Sequence, residues 1–325
     1  MKILDFPSTT RTRVLAEKYG YDEFIVRRWF KFFGEDTIKI METFEEGLPK
    51  YIRVNTIKIP EKELIKRLEV RGFRVDPTDI PYCYMVSNEP YSIGATPEYL
   101  MGYYYIMDKS SCVPPLVLAP KPGDLVVDLA ASPGGKTTFL SMLMQNKGTV
   151  LAVEPQKERL QPLIDNVHRM GAMNVAVLNM DGRSIGKIRE KVVGGVDKVL
   201  LDAPCTGEGI IHKDPSRKTD RDAKDLSFCS YLQKELILAA YDILKDGGEL
   251  VYSTCSMAPE ENEIVVDFLL EMRENVEVVE VEYGVEGLTI PELDLKWPEE
   301  IKKTRRLFPH IHRCSGFFIA RIRKV

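Results

Sequence analysis

The sequence has no pair of cysteines at CxxC spacing, no apolar run long enough to cross a bilayer and no signal-peptide core in its opening stretch MKILDFPSTTRTRVLAEKYG. The first absence argues against a zinc site, and no metal is expected. The other two argue against membrane insertion and export, so the chain is expected in the cytoplasm, with no membrane partner. Cysteines are reduced there. Cys83, Cys112, Cys205, Cys229, Cys255 and Cys314 therefore read as thiols and not as a disulfide framework. Glutamine is scarce, with only Gln145, Gln156, Gln161 and Gln233, a bias expected of a thermophile.

A large charge excess is missing too. The net charge of −4 argues by itself against a nucleic-acid partner, but the distribution argues for one. Residues 1–74 carry 16 Lys and Arg against 12 Asp and Glu. Residues 301–325, IKKTRRLFPHIHRCSGFFIARIRKV, carry eight basic residues and no acid. Basic ends around a central body suit an anionic polymer.

At 325 residues the chain is long for one domain, so a large core with a smaller accessory unit is expected. RTRVLAEKYG and DEFIVRRWFKFFG have helical apolar spacing and end in Gly20 and Gly34. From Tyr51 the pattern changes. YIRVNTIKI reads as a strand, PEKELIKRLEVRG as a helix and PYCYMVS as a strand, a small α+β unit. From Lys121 strands and helices alternate. DLVVDLA, GTVLAVE, NVAVLNMD, VDKVLLDAP and GGELVYSTC read as strands, with helices from Lys136, through Met170, over 228–244 and from Pro259. That alternation predicts an α/β fold with a doubly wound, mostly parallel sheet. Ligands bind such sheets beyond the carboxyl ends of the strands. Gly134, Gly135, Glu154, Asp181, Asp202, Cys205 and Cys255 all sit there.

DLAASPGGKTT (128–138) follows the first strand of this sheet and opens a helix. Adjacent glycines let a ligand approach the backbone, or simply make a tight turn. The spacing is neither GxGxxG nor GxxxxGK[ST], which argues against a dinucleotide or a nucleoside triphosphate. Glu154 ends the second strand, where an acid can accept hydrogen bonds from both ribose hydroxyls of an adenosine. Asp181 ends the third and could receive an adenine amino group, or could be a helix cap. Together they point to adenosine with a carboxylate-bearing tail, and S-adenosylmethionine fits.

A thiolate beside a methyl donor suggests cytosine-C5 chemistry. C5 of cytosine is a poor nucleophile until a thiolate adds to C6. Asp202, in DAPC, is placed to polarise N3 or O2 of the base. The alternative is that both cysteines are small buried core residues. Spacing alone does not say which of Cys205 and Cys255 attacks.

DLAASPGGKTT, VEPQKERL, LDAPCTGEG, LVYSTCSMAPEENE and PHIHRCSGFFIARI, in that order, resemble the motifs of the NOP2/Sun RNA cytosine-5 methyltransferases. The resemblance covers roughly 50–325, with YIRVNTIK similar to the lead into that family's small RRM-like unit. It implies a Rossmann-like domain with a seven-stranded sheet, GFFIARI being the antiparallel strand. It implies that Cys255 is the nucleophile, that Cys205 assists release of the methylated RNA, that Asp202 contacts the base and that Lys136 lies near the catalytic centre. By the same resemblance Ala130, Ala131, Ser132, Pro133, Gly134, Gly135, Lys136, Glu154, Arg159, Asp181 and Asp202 contact the cofactor. The sequence departs from the family at Ala130, usually Cys, at Ser132, usually Ala, and at Glu154, usually Asp.

The expected organisation is a helical segment over 1–50, an RNA-docking α+β unit over 51–110 and a methyltransferase domain over 111–325, acting as a monomer. The expected substrate is RNA. The lack of a long charged tail favours tRNA over rRNA. A non-catalytic RNA-binding scaffold is the rival outside the enzyme class, against which the intact Cys255, Cys205, Asp202 and Lys136 argue. HKDPSRKTDRD (212–222) either is a solvated loop or grips phosphates beside the site. His310 and His312 could share one face of an extended segment, and Trp297 and Phe308 read as core.

Overall fold

The computed structural model describes residues 3–189 and 195–325. Three helices open it, Thr10–Tyr19, Glu23–Phe33 and Asp36–Glu46. Thr9 and Asp22 cap the first two through side-chain oxygens, and Gly20 and Gly34 end them as the sequence predicts. Their apolar faces do not close on one another alone. Trp29, Ile40, Met41 and Phe44 share a core with Ile211, Met257 and Phe308 from far along the chain.

Next comes an antiparallel sheet of β1 (Lys50–Val54), β2 (Arg74–Pro77), β3 (Cys83–Asn88) and β4 (Tyr104–Ile106), in the order β2-β3-β1-β4. Helix Glu61–Val70 lays Leu64 and Leu68 against Ile52, Val54 and Tyr104. β1 stops short of the expected run. Asn55 turns inward and donates to the carbonyls of Gly102 (2.8 Å) and Met170 (2.7 Å).

In the larger sheet β5 (Leu125–Asp128), β6 (Thr149–Val153), β7 (Val175–Leu178), β8 (Val196–Asp202) and β9 (Leu244–Thr254) run parallel in the order β7-β6-β5-β8-β9. Alternation along each strand splits the core between two faces. Val127, Val199, Leu201, Leu250 and Tyr252 pack with the helices Ala223–Asp242 and Glu263–Met272. Val126, Leu200 and Val251 pack on the other face with Phe139, Leu140 and the helix Lys109–Leu118.

Among the described residues the sheet has nine strands, the expected seven and two short ones. β10 (Val276–Val279) and β13 (Phe317–Lys324) complete the expected set, and β13 joins β9 antiparallel as GFFIARI was expected to. β10 pairs only with Arg321–Lys324, one half of β13. The other half takes the short β12 (Arg305–Leu307), which pairs with β11 (Val285–Glu286).

Three local expectations are corrected. The helix expected over 228–244 starts at Ala223, because Asp222 caps it by accepting from the N–H groups of Lys224 and Asp225. His310 and His312 lie on the helical turn Pro309–His312, started by a proline whose fixed φ suits a first helical position. Phe308 is buried as expected, whereas Trp297 is 46% exposed. Among the described residues no helix is long and apolar enough to cross a membrane, and no group of three or more His, Cys, Asp and Glu is arranged to hold a metal.

Candidate active site

The carboxyl ends of β5, β6, β7, β8 and β9 surround a cavity of about 560 Å³. Its lining includes Ala130 and Ser132 after β5, Glu154 and Arg159 after β6, Asp181 after β7, Asp202 and Cys205 at the end of β8, and Cys255 just past β9. Strand order alone thus gathers side chains that span 125 positions, from 130 to 255. Ala131, Pro133, Gly134 and Gly135 shape the loop from behind. Gly134 has φ +101°, and a Cβ on it would come within 3.1 Å of Leu163. One on Gly135 would meet the Tyr105 ring at 3.2 Å. The room these glycines leave is filled by protein, so close packing and a left-handed turn explain them.

Glu154 is 2% exposed yet lines the cavity. One carboxylate oxygen accepts from the Gln156 N–H (2.9 Å), and Arg159 stands 3.8 Å from the other. Asp181 is more occupied than the sequence suggested. It caps the turn Gly182–Ser184 and pairs with the Arg183 guanidinium at 2.6 Å, which holds its carboxyl below the usual carboxylate range. The other arm of Arg183 reaches Glu235 at 2.9 Å.

Lys136 leaves the first turn of helix Gly135–Leu143 and meets Asp202 at 2.6 Å. Ser253 donates to the other oxygen of Asp202 at 2.8 Å. Burial opposes the charge on Lys136, but the Asp202 carboxylate outweighs it and raises the pKa above that of an ordinary lysine. Cys205 Sγ and Cys255 Sγ are 3.3 Å apart, both partly exposed. The hydrogen bond from the Cys205 thiol pulls the pKa of Cys255 down, against burial and the Asp202 charge, and Lys136 helps. The same bond and burial push Cys205 well up. One sulfur is thus favoured as thiolate and its neighbour as thiol.

Three sequence motifs meet at these sulfurs. Gly209, of CTGEG, donates from its N–H to the Cys255 carbonyl (2.8 Å), and Gly316, of CSGFF, donates to the Gly209 carbonyl (2.9 Å). The 212–222 segment is not a free phosphate grip. Lys213 donates to buried Asp108 at 3.2 Å, Arg217 to Asp214 at 2.9 Å and to the Thr206 carbonyl, and Lys218 to Glu45 and the Tyr19 carbonyl. It ties the N-terminal helices to the Cys205 turn.

Sequence reasoning missed other residues of the site. Phe228, Tyr231, Leu232, Glu235 and Leu236, on the helix Ala223–Asp242, also line the cavity. Trp29 donates to buried Glu208 at 2.8 Å, and Arg28 forms a buried pair with Glu260 at 2.6 Å. The acids of PEENE, dense for a segment packed behind a strand end, were the signal available for Glu260, Glu261 and Glu263, all 0% exposed.

A family described as 16S rRNA methyltransferase RsmB/F matches residues 115–323, and its ferredoxin-like domain matches 21–89. The chain is 41% identical to a 28S rRNA (cytosine-C(5))-methyltransferase of Mus musculus, over 95% of this chain and 40% of that protein. It is 36% identical to a tRNA (cytosine(49)-C(5))-methyltransferase of Pyrococcus abyssi, over 92% of this chain and 95% of that one. Among solved structures, a methyltransferase homolog from Pyrococcus horikoshii superposes with a TM-score of 0.88 at 41% identity, over 98% of this chain and 100% of that one. The chain spans from 38% to 59% of the lengths of the rRNA methyltransferases it matches.

Proposed function

The chain belongs to the RsmB/F methyltransferase family, within the NOP2/Sun group, and from that premise we propose that it methylates C5 of cytosine in RNA, with S-adenosylmethionine as methyl donor. The observation that carries this reading is the 3.3 Å approach of two cysteine sulfurs at the wall of a cavity that also holds Asp202 and Glu154. The residues fit the cofactor. The cavity lies within the roughly 300–1,000 Å³ of small-molecule sites. Buried Glu154 offers a carboxylate to ribose hydroxyls, and Leu129, Leu232 and Leu236 offer apolar surface to an adenine. Bound S-adenosylmethionine supplies an electrophilic methyl group on a sulfonium.

The protein's own groups do the rest. Asp202, held by Lys136 and Ser253, polarises the cytosine at N3 by sharing a proton with it, and Lys136 can donate to O2. The Cys255 thiolate adds to C6, and the electron pair of the C5–C6 bond makes C5 nucleophilic. Once C5 carries the methyl group, solvent in the cavity takes its proton, the C5–H electron pair re-forms the C5–C6 double bond and the Cys255 sulfur leaves C6 as thiolate, which restores aromaticity. Cys205 assists that release. The base must leave its stack to reach the sulfurs, which costs a few kcal/mol. Ala130, Ser132, Glu154, Arg159, Asp181 and Asp202 form the cofactor wall, and Ala131, Pro133, Gly134, Gly135 and Lys136 hold its loop in shape.

The organisation proposed with this chemistry is a helical segment over 1–50, an RNA-docking unit over 51–110 and a catalytic domain over 111–325, in a cytoplasmic monomer. For the RNA we propose tRNA, supported by the nearly end-to-end match to the Pyrococcus abyssi tRNA enzyme. rRNA is the second reading, favoured by the higher identity to the mouse 28S rRNA enzyme. Calorimetric titration of S-adenosylmethionine, then transfer of a labelled methyl to bulk tRNA and to rRNA, tests both. Binding without transfer to either RNA would refute the activity, and transfer to rRNA alone would replace tRNA.

A further inference from the structure

The residues on either side of both cysteines are fastened to the segment that follows Cys255. Thr206, after Cys205, donates its N–H to Glu261 Oε1 (2.9 Å) and its hydroxyl to Oε2 (2.5 Å). Ser256, after Cys255, donates its hydroxyl to the same Oε2. Gln233 Nε2 donates to the carbonyl of Pro204, before Cys205 (2.8 Å), and to Glu261 Oε1 (3.0 Å). Asn262 accepts from the Thr254 hydroxyl (2.6 Å) and donates to the Ser256 carbonyl (3.0 Å). None of these side chains belongs to a residue more than 2% exposed.

Among the described residues no Lys or Arg forms an ion pair with Glu261. Its donors are neutral, and the other titratable groups facing it include Glu208, Cys205, Cys255, Cys229 and Tyr252. Burying a carboxyl without a cation is costly. A glutamine would fill the same space, accept from the Thr206 and Gln233 N–H groups and donate to hydroxyls that can turn to accept. Hydrogen bonding alone therefore does not account for an acid here. The cysteine pair is what an acid changes. Asp202 and Glu261 face both sulfurs, but Lys136 also faces Cys255 and opposes them there, and Glu261 accepts two bonds from Thr206, beside Cys205, against one from Ser256, beside Cys255.

We propose that Glu261 is a positioning residue for the cysteine pair: it clamps both flanking turns and sets a negative charge beside Cys205, so that the proton stays on Cys205 and the thiolate forms on Cys255. This deepens the proposed function, since it rests on Cys255 being the nucleophile. It assigns to one buried side chain a share in the asymmetry between the two cysteines, beside the Lys136 charge that favours the Cys255 thiolate.

The test is the pH profile of alkylation by iodoacetamide on the full chain, with each cysteine followed by peptide mass spectrometry. In the unmodified protein Cys255 should react first and Cys205 only at clearly higher pH. In Glu261→Gln the Cys205 profile should move down by about one pH unit, so that selectivity for Cys255 falls about tenfold. A merely structural role leaves the profile of a folded Glu261→Gln protein unchanged, and that result overturns the proposal. Should that variant fail to fold, Thr206→Val, which removes one link of the clamp at constant shape, decides in the same way. Earlier Cys205 alkylation supports the clamp, and an unchanged profile overturns it. The readout needs neither RNA nor cofactor. A chain that shows the shift but methylates no RNA would sink the functional reading and leave the clamp standing.

Discussion

Lys136 and Asp202 meet at 2.6 Å across the mouth of the sheet, one from the glycine loop after β5 and the other from the end of β8. Their contact joins two halves of the site that look separate in the sequence, the cofactor loop and the first cysteine turn. It fixes the Asp202 carboxylate with Lys136 on one oxygen and Ser253 on the other. A base held at Asp202 is thereby placed beside the sulfurs and the cofactor wall together.

Glu154 faces the cavity with a carboxylate that, among the described residues, only the Gln156 N–H and a distant Arg159 engage. Glu154→Ala should weaken S-adenosylmethionine binding by about 1–3 kcal/mol, the scale of hydrogen bonds to a charged group. Calorimetry reads this directly. Unchanged affinity would remove Glu154 from the cofactor site.

Glu260 and Arg28 bind each other through two contacts, 2.6 and 2.8 Å, at 0% and 1% exposure. Glu260→Ala leaves the guanidinium buried without its anion and should destabilise the fold by about 3–5 kcal/mol. Urea denaturation checks it. A loss under 1 kcal/mol would mean that the N-terminal helices are only loosely seated on the cysteine turns.

Burial pushes the Glu261 carboxyl up to about 7, against the pull of its hydrogen bonds from Ser256 and Thr206. A folded-state pKa above the unfolded value means that the native protein holds the extra proton, so stability is highest below the unfolded value near 4.5 and falls as pH rises through about 7. Relative to Glu261→Gln, the unmodified protein should lose on the order of 3 kcal/mol between pH 4 and pH 8. Paired denaturation curves across that range measure it. A constant difference between the two proteins would show that the carboxyl titrates normally.

The parts of this fold legible in the sequence are those with local causes. Alternating apolar residues marked β5, β8, β9 and β13, and strand ends marked where Glu154, Asp202, Cys205 and Cys255 would gather. Contacts made across the chain were not legible. Arg28 and Glu260 stand 232 positions apart, and no pattern near either names the other. β11 and β12, two and three residues long, are too short to show a pattern, and β12 pairs along the half of β13 that β10 leaves open. The adjacent glycines after β5 left ligand approach and a tight turn open; Gly134 makes a left-handed turn, and what stands against the two glycines is Leu163 and Tyr105. Lys213, Arg217 and Lys218 looked available to phosphate because their partners, Asp108, Thr206 and Glu45, lie on other elements.

The central claim is that Cys255 bonds to the base and Cys205 helps to release it. Both sulfurs lie within 3.3 Å of each other, so geometry permits either order of roles, and trapping separates them. Cys205→Ala, mixed with substrate RNA and S-adenosylmethionine, should still attack and methylate but should fail to expel the sulfur. A denaturing gel should then show an RNA-shifted protein band. Cys255→Ala and the double variant should show none, and Cys255→Ala should bind the cofactor normally while transferring no methyl group. An RNA-shifted band from Cys255→Ala and none from Cys205→Ala would contradict the account and make Cys205 the nucleophile.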